Sequence, residues 1–201
     1  MNAMTEDEQL DGLKSFFKKY GSAMLSGILI ALIAFFGWEY WQKKTLAENQ
    51  VRTAKIQQLI EDAKVAATNP AAYSALVASA DKLVKENPDS IHAIESQFIM
   101  ARIAYDKGDY ATAERELKKV ENSKLKDAGI LQIVKLRLAN AQLAQKKYDE
   151  ALKTLASVTE PAFKATAEEE KGDIYVAKND IENAKKSYQA AWNSLLERKQ
   201  E

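Results

Sequence analysis

The sequence predicts an all-α protein in which a single N-terminal transmembrane helix precedes a solenoid of helical hairpins. Nineteen residues between Lys19 and Glu39 carry no charge. After Trp38, apolar residues recur at every third or fourth position, which is the period of an α-helix, and alternating β-branched runs are scarce. The third observation is a self-similarity in which segment 100–120 recurs at 138–158 and again at 171–191, as is typical of repeat proteins.

The uncharged segment, residues 20–38, is long enough for a helix that crosses a bilayer. At a rise of ~1.5 Å per residue its length approaches the ~30 Å thickness of the hydrocarbon core. Lysines precede the segment, and aromatic rings suited to the headgroup layer close it. The expected membrane-interface residues are Lys18, Lys19, Trp38, Tyr40 and Trp41.

A cleaved signal peptide is the alternative interpretation of this segment. Cleavage requires small residues at the end of the apolar stretch, whereas this stretch ends in Phe35, Phe36, Gly37 and Trp38. The sequence therefore favours an uncleaved signal anchor. Lysines flank both sides of it, so the positive-inside rule alone gives only a slight preference for a cytoplasmic N-terminus.

Small residues recur along one side of the predicted transmembrane helix. Ala23, Gly27 and Ala31 are spaced at i, i+4 and i+8, and such a groove allows a second transmembrane helix to approach closely. Small residues also occur in such spans by chance, so a partner helix and an ordinary lipid-facing surface are both open.

Breakers divide the rest of the chain at regular places, among them Asn69-Pro70, Asn87-Pro88, Gly108-Asp109 and Pro161. They predict helices near 50–67, 71–86, 90–107, 110–120, 126–145, 148–157, 161–178 and 181–197. Paired in order, these helices make four hairpins. The predicted domains are an N-terminal tail (1–19), the anchor (20–38), a juxtamembrane helical stalk (39–49) and the repeat domain (50–201).

Three segments of the repeat domain, 100–120, 138–158 and 171–191, overlay without gaps. A small residue recurs in each helix of a hairpin, where it allows the two backbones to approach. The expected packing residues are Ala101 with Ala113, Ala139 with Ala151, and Gly172 with Ala184. The turn positions Gly108 and Asn179 suit a left-handed conformation, although Lys146 occupies that place in the middle copy. This spacing resembles the tetratricopeptide repeat.

The last predicted helix has an apolar face close to the end of the sequence, formed by Trp192, Leu195 and Leu196. Two interpretations are open. The face either packs back on residues 174–176 of the preceding helix, or it is a surface for a partner protein.

Composition excludes several functional classes. After Trp38 there are 26 basic and 25 acidic residues, because four of the 29 acids and three of the 29 basic residues come earlier. This balance argues against nucleic-acid binding, which needs clustered basic charge. The absence of cysteine excludes disulfides, thiolate zinc sites and cysteine catalysis, but it does not choose a compartment.

No catalytic constellation stands out. His92 has no second histidine or cysteine to share a metal, so it is interpreted as an ordinary residue at a helix start. The acidic run 168–170 is interpreted as a solvated helix face, since consecutive helical residues point in different directions. Phosphate-binding glycine loops and hydrolase motifs are missing. We therefore expect no enzyme activity, no cofactor and no metal.

The N-terminal region is similar to that of the YfgM-type ancillary subunits of the SecYEG translocon. The residues that carry the resemblance are Phe16-Phe17, Gly21 and the run Gly37-Trp38-Glu39-Tyr40-Trp41. The resemblance implies a single-pass inner-membrane protein of a Gram-negative bacterium, with a short cytoplasmic tail and a periplasmic repeat domain. It further implies partners: the SecYEG translocon, a membrane-anchored periplasmic chaperone of the PpiD type, and secretory client proteins.

The same resemblance implies a second hypothesis, a membrane-tethered negative regulator of an envelope stress response that acts through its cytoplasmic tail. The first hypothesis, a noncatalytic interaction module beside the translocon, depends on the anchor and the repeats instead. A cofactor-dependent enzyme is the third, and it would require a cluster of chemical groups that the sequence lacks.

Overall fold

The computed structural model of the protein describes residues 6–66 and 69–198. This part of the chain forms eight α-helices and no strand. The helices are α1 (Glu6–Ala66), α2 (Pro70–Glu86), α3 (Ile91–Asp106), α4 (Tyr110–Lys118), α5 (Ala128–Ala144), α6 (Tyr148–Ala156), α7 (Pro161–Ala177) and α8 (Ile181–Arg198). The predicted fold class, an all-α chain with one long apolar N-terminal helix and helical hairpins, is confirmed.

The chain divides into two units, residues 1–52 and 53–201. In the first unit, the side chains of the apolar segment in α1 are exposed, including Leu25, Ile30 and Ile33. The segment has a mean hydropathy of 1.9, and among the described residues α1 alone is long and apolar enough to cross a membrane. These properties fit a single-pass membrane protein. The helix predicted near 50–67 is the C-terminal part of α1.

The second unit is built from hairpins whose apolar residues meet in a series of core clusters. The first cluster joins Ile56 and Leu59 of α1 to α2 and to Met100 of α3. Others lie between α3, α4 and α5, and between α5, α6 and α7. Each hairpin therefore buries its apolar side against the next one, as expected for a repeat array.

Three turns between paired helices share one backbone conformation. Gly108, Lys146 and Asn179 have positive φ angles of 75°, 60° and 61°, and they occupy the same position in the three repeat copies. In each turn the next amide N–H donates to a carbonyl five residues earlier, for example Asp109 to Ala104 at 2.9 Å. This is the Schellman pattern that ends helices. The left-handed conformation predicted at Gly108 and Asn179 is confirmed, and Lys146 shares it despite its side chain.

Side chains at the helix starts explain why most of these helices begin where they do. Ser90, Asp109 and Asp127 accept hydrogen bonds from backbone N–H groups in the first turns of α3, α4 and α5. Such caps typically stabilise a helix by ~1 kcal/mol. Lys147 precedes α6 without a side-chain cap. The middle repeat thus differs from its neighbours at two consecutive positions, Lys146 and Lys147.

Candidate partner-binding cleft

A cleft of about 420 Å³ opens on the second unit between α3, α4 and α5. This is within the range of ~300–1,000 Å³ found for ligand pockets. Its lining consists of Phe98, Ala101, Arg102, Tyr105, Ala113, Leu117, Arg137 and Asn140. The lining therefore combines an apolar floor with aromatic and cationic groups, which is the composition enriched at protein interfaces.

Small side chains form part of the cleft floor. Ala101 of α3 and Ala113 of α4 are both buried in one apolar cluster with Leu117, and all three line the cleft. Alanine at both positions leaves open the volume that larger side chains would occupy. The same residues that let the two helices of this hairpin pack also give the cleft its depth.

Arg137 of α5 lies over the ring of Phe98 of α3, with its guanidinium carbon 4.3 Å from the ring centre. This cation–π geometry holds the guanidinium against an apolar surface. The neighbouring Arg102 is instead paired with Asp106 at 2.6 Å. Within residues 6–66 and 69–198, Arg137 forms no ion pair. Its hydrogen-bond donors are therefore free to meet a carboxylate from outside.

An ionic network fixes α4 against α5, on which Arg137 lies. The carboxylate of Glu114 is only 5% exposed and pairs with Lys118 and Lys147. Gln142 of α5 and Gln145, which follows α5, also donate to it. Burial raises the pKa of Glu114, but these hydrogen bonds outweigh burial and lower the pKa to about 2. The charged form of Glu114 therefore stabilises the contact between the two walls of the cleft.

Glu170 lies on α7, next to the cleft residue Asn140, and its environment corrects the sequence interpretation of the acidic run. Asn140 Nδ2 donates to Glu170 Oε1 at 3.1 Å, while Oε2 is buried without a hydrogen-bond partner. Burial raises the pKa of this carboxyl to about 7. The prediction of a solvated face was wrong at this position, because α5 covers the side chain.

The other packing residues of the repeats lie at the predicted hairpins. Ala139 and Ala151 are buried in one cluster between α5, α6 and α7, and Ala184 is buried on α8. At Gly172 the space of a side chain is taken by Tyr188 of α8. A Cβ atom there would lie 2.4 Å from Tyr188 Cε1, and the Tyr188 hydroxyl donates to Asp173 Oδ1 at 2.7 Å.

The face predicted on the last helix is open. Trp192 is 58% exposed, and Leu195 and Leu196 are each 40% exposed. Ile174 is buried in the cluster between α5, α6 and α7, whereas Val176 is itself exposed. Ile181 and Tyr188 add two further exposed apolar side chains to α8.

The predicted membrane residues lie on α1. Ala23, Gly27 and Ala31 are exposed, and a Cβ atom at Gly27 would meet nothing within 4 Å. Lys18, Lys19, Trp38, Tyr40 and Trp41 are exposed as well. The rings of Trp38 and Trp41 lie 5.9 Å apart on the same side of the helix.

Sequence reasoning missed Arg137, Phe98 and Glu114 as residues of interest. Arg137 is one of two basic residues in α5, and no local pattern in the sequence distinguishes it from Lys135. Its contact with Phe98, which lies two helices earlier in the chain, exists only once the hairpins stack. His92, by contrast, lies in the first turn of α3 as predicted, with Nε2 3.2 Å from Thr53 Oγ1.

Known proteins with similar sequences show which family this chain belongs to. The chain matches the tetratricopeptide repeat-like domain family over residues 14–201. A protein of Neisseria gonorrhoeae named ancillary SecYEG translocon subunit is 31% identical over 96% of this chain and 90% of its own length. The chain belongs to the family of ancillary SecYEG translocon subunits. Relatives with the same name in Haemophilus influenzae and Escherichia coli are 28% and 27% identical, over 96% and 94% of this chain and 91% and 88% of their own lengths.

Membership of the ancillary SecYEG translocon subunit family confirms the resemblance that the N-terminal residues suggested. The matched region extends from the residues before the apolar part of α1 through all the hairpins. Both units of the structure are therefore shared with the relatives.

Proposed function

We propose that this protein is a noncatalytic ancillary subunit of the SecYEG translocon. In this role, residues 20–38 hold it in the bacterial inner membrane, and the repeat domain binds a membrane-anchored periplasmic chaperone of the PpiD type and assists the passage of newly secreted proteins. The observation that carries the proposal is the 31% identity to a protein named ancillary SecYEG translocon subunit, over nearly the full length of both chains.

Two features of the chain support a scaffold role. The exposed apolar part of α1 provides an anchor, and the second unit has both a cleft and an open apolar face at Trp192. We propose that the chaperone and the clients use these two surfaces, and that Ala23, Gly27 and Ala31 pack against a helix of the translocon.

The proposed topology has the N-terminus in the cytoplasm and the repeat domain in the periplasm. Alkaline phosphatase fused after Glu201 should then be active, because it folds only outside the cytoplasm. Green fluorescent protein fused at the same place and exported through the general secretion pathway should be dark. The opposite pair of results would reject this localisation.

Copurification in mild detergent tests the association with the translocon. The tagged full-length protein should bring down SecYEG subunits and the chaperone from native membranes. Gly27→Leu keeps the span apolar but places a bulky side chain in the small-residue groove, so recovery of the translocon should fall while membrane localisation persists. Leu29→Ala, on a different side of the helix, serves as the control.

Two results would count against these proposals. If SecYEG does not copurify with the parent protein, the translocon role fails. If Gly27→Leu recovers as much SecYEG as the parent does, the small-residue groove is an ordinary lipid-facing surface, and the soluble repeats determine specificity.

A further inference from the structure

The cleft between α3, α4 and α5 has an apolar floor and one cationic group that lacks a partner within the described residues. Ala101, Ala113 and Leu117 supply the floor, and the guanidinium of Arg137 lies at the rim over Phe98. The exposed guanidinium offers a planar fork of donors that matches the geometry of a carboxylate.

The neighbouring repeat shows a different charge at the matching position. When the second repeat copy (138–158) is overlaid on the third (171–191), Arg137 falls on Glu170. Glu170 is a half-buried carboxyl held by Asn140, and Glu169 and Asp173 lie on the same helix. The cationic group at Arg137 is therefore not repeated one repeat further along, where an acidic residue takes its place.

We propose that this cleft binds an internal segment of a partner protein that carries an aspartate or glutamate next to an aromatic or aliphatic residue. The acidic side chain pairs with Arg137, and the apolar side chain enters the floor formed by Ala101, Ala113 and Leu117. The inference rests on the proposed function in one respect, namely that the ligand is a protein and not a small metabolite.

Charge complementarity and size both select this ligand. The volume of about 420 Å³ exceeds that of one side chain, so residues on either side of the acidic group enter with it. A nucleic acid would require several clustered cations, whereas Arg102 is already neutralised by Asp106. One available cation beside an apolar floor matches a single carboxylate with an apolar neighbour.

A selection experiment with the full-length protein in nanodiscs tests the proposal. The probe is a library of random seven-residue peptides with both termini blocked. The parent protein should enrich peptides with an acidic residue within two positions of an aromatic or aliphatic one. Arg137→Gln should lose the acidic preference, and the best enriched peptide should bind it about tenfold or more weakly, the typical effect of losing a hydrogen bond to a charged group.

Two further variants separate a direct contact from a change in fold. Arg137→Lys keeps the charge but loses the planar fork, so its affinity should lie between those of the parent and Arg137→Gln. Glu170→Gln alters the next repeat and should keep the acidic preference. All variants should show the same helical circular dichroism as the parent.

Three outcomes would overturn the inference. The first is a parent selection without acidic enrichment, and the second is an unchanged enrichment in Arg137→Gln. The third is Arg137-dependent binding to vesicles that contain phosphatidylglycerol in place of peptides, which would make the site a lipid-headgroup contact. Recovery of SecYEG with the parent protein is measured separately, so failure of the translocon role and failure of the cleft proposal are distinguishable.

Discussion

Lys147 Nζ donates to Oε2 of the buried Glu114 at 2.8 Å, which ties the turn before α6 to α4 of the preceding hairpin. In the other two repeat copies, Asp109 and Asp180 occupy the position of Lys147, and each accepts a hydrogen bond from a backbone N–H three residues later. The middle copy thus lacks a side-chain cap on α6 and gains a contact between hairpins.

The hydrogen bonds and ion pairs of Glu114 predict that the fold loses stability in acid. The carboxyl of Glu114 has a pKa of about 2 in the folded chain against an ordinary value of 4.5. A lowered pKa stabilises the fold above the unfolded pKa, so the contribution is complete above pH 4.5 and is lost as the pH falls towards 2. We expect a loss of about 1–3 kcal/mol in the free energy of unfolding across this window, measured by urea denaturation of residues 46–201.

Glu114→Gln is the matched variant for this effect. It should be less stable than the parent at pH 7, because the ion pairs with Lys118 and Lys147 are removed, and its stability should change less between pH 4.5 and 2. Parallel stability curves for the parent and Glu114→Gln would contradict the assignment.

Glu170 predicts a pH dependence of the opposite sign. Burial is the largest cause that raises its pKa, Asp173 and Glu169 also raise it, and the hydrogen bond from Asn140 lowers it, so that the pKa is about 7 against an ordinary 4.5. The folded state binds the proton more tightly than the unfolded state, so stability falls as the pH rises from 4.5 to 7. The expected size is on the order of 1–3 kcal/mol.

The neutral variant Glu170→Gln should remove this slope and be more stable than the parent at pH 8. Glu169→Gln changes the exposed neighbouring acid and should keep most of the slope. Thermal unfolding of residues 46–201 between pH 5 and 8 measures both. A slope in Glu170→Gln equal to that of the parent would reject the role of Glu170.

Much of the fold could be predicted because its signals are local. The predicted helix near 148–157 ends one residue after the end of the observed α6. The prediction is accurate because the hydrophobic period and the turn residues that define this helix lie within or next to the segment. The cleft could not be predicted in this way. The stacking of Arg137 on Phe98 and the burial of Glu170 under α5 depend on how successive hairpins pack, which no local pattern specifies.

Lys146 provides a prediction about backbone strain. Its φ angle of 60° lies in the left-handed region that glycine occupies without a steric penalty, and the equivalent turn position in the previous repeat is Gly108. The left-handed conformation costs a residue with a Cβ atom ~1–2 kcal/mol. Lys146→Gly should therefore stabilise residues 46–201 and raise their melting temperature. The gain in the free energy of unfolding should be only part of that cost, because glycine is also more flexible in the unfolded chain.

The reciprocal change supplies the control for Lys146. Gly108→Ala introduces a Cβ atom at a φ angle of 75°, where open space leaves strain as the main cost, and it should lower the melting temperature. The proposal of strain at Lys146 fails if Lys146→Gly is no more stable than Lys146→Ala.

The contact between Gly172 and Tyr188 predicts a strong steric effect from one methyl group. A Cβ atom at position 172 would lie 2.4–2.8 Å from three atoms of the Tyr188 ring, far inside van der Waals contact. Gly172→Ala should therefore displace the ring, weaken its hydrogen bond to Asp173 and destabilise residues 46–201 by ~1–3 kcal/mol, as overpacking typically does.

A double-mutant cycle distinguishes this clash from a general effect of helix composition. In an exposed helix, replacing glycine with alanine stabilises by ~1 kcal/mol, because alanine has the higher helix propensity. Tyr188→Ala removes the ring, so Gly172→Ala in that background should become neutral or stabilising, and the two changes should be strongly coupled. If Gly172→Ala costs the same with and without the Tyr188 ring, the close approach of α7 and α8 at this point is not what requires the glycine.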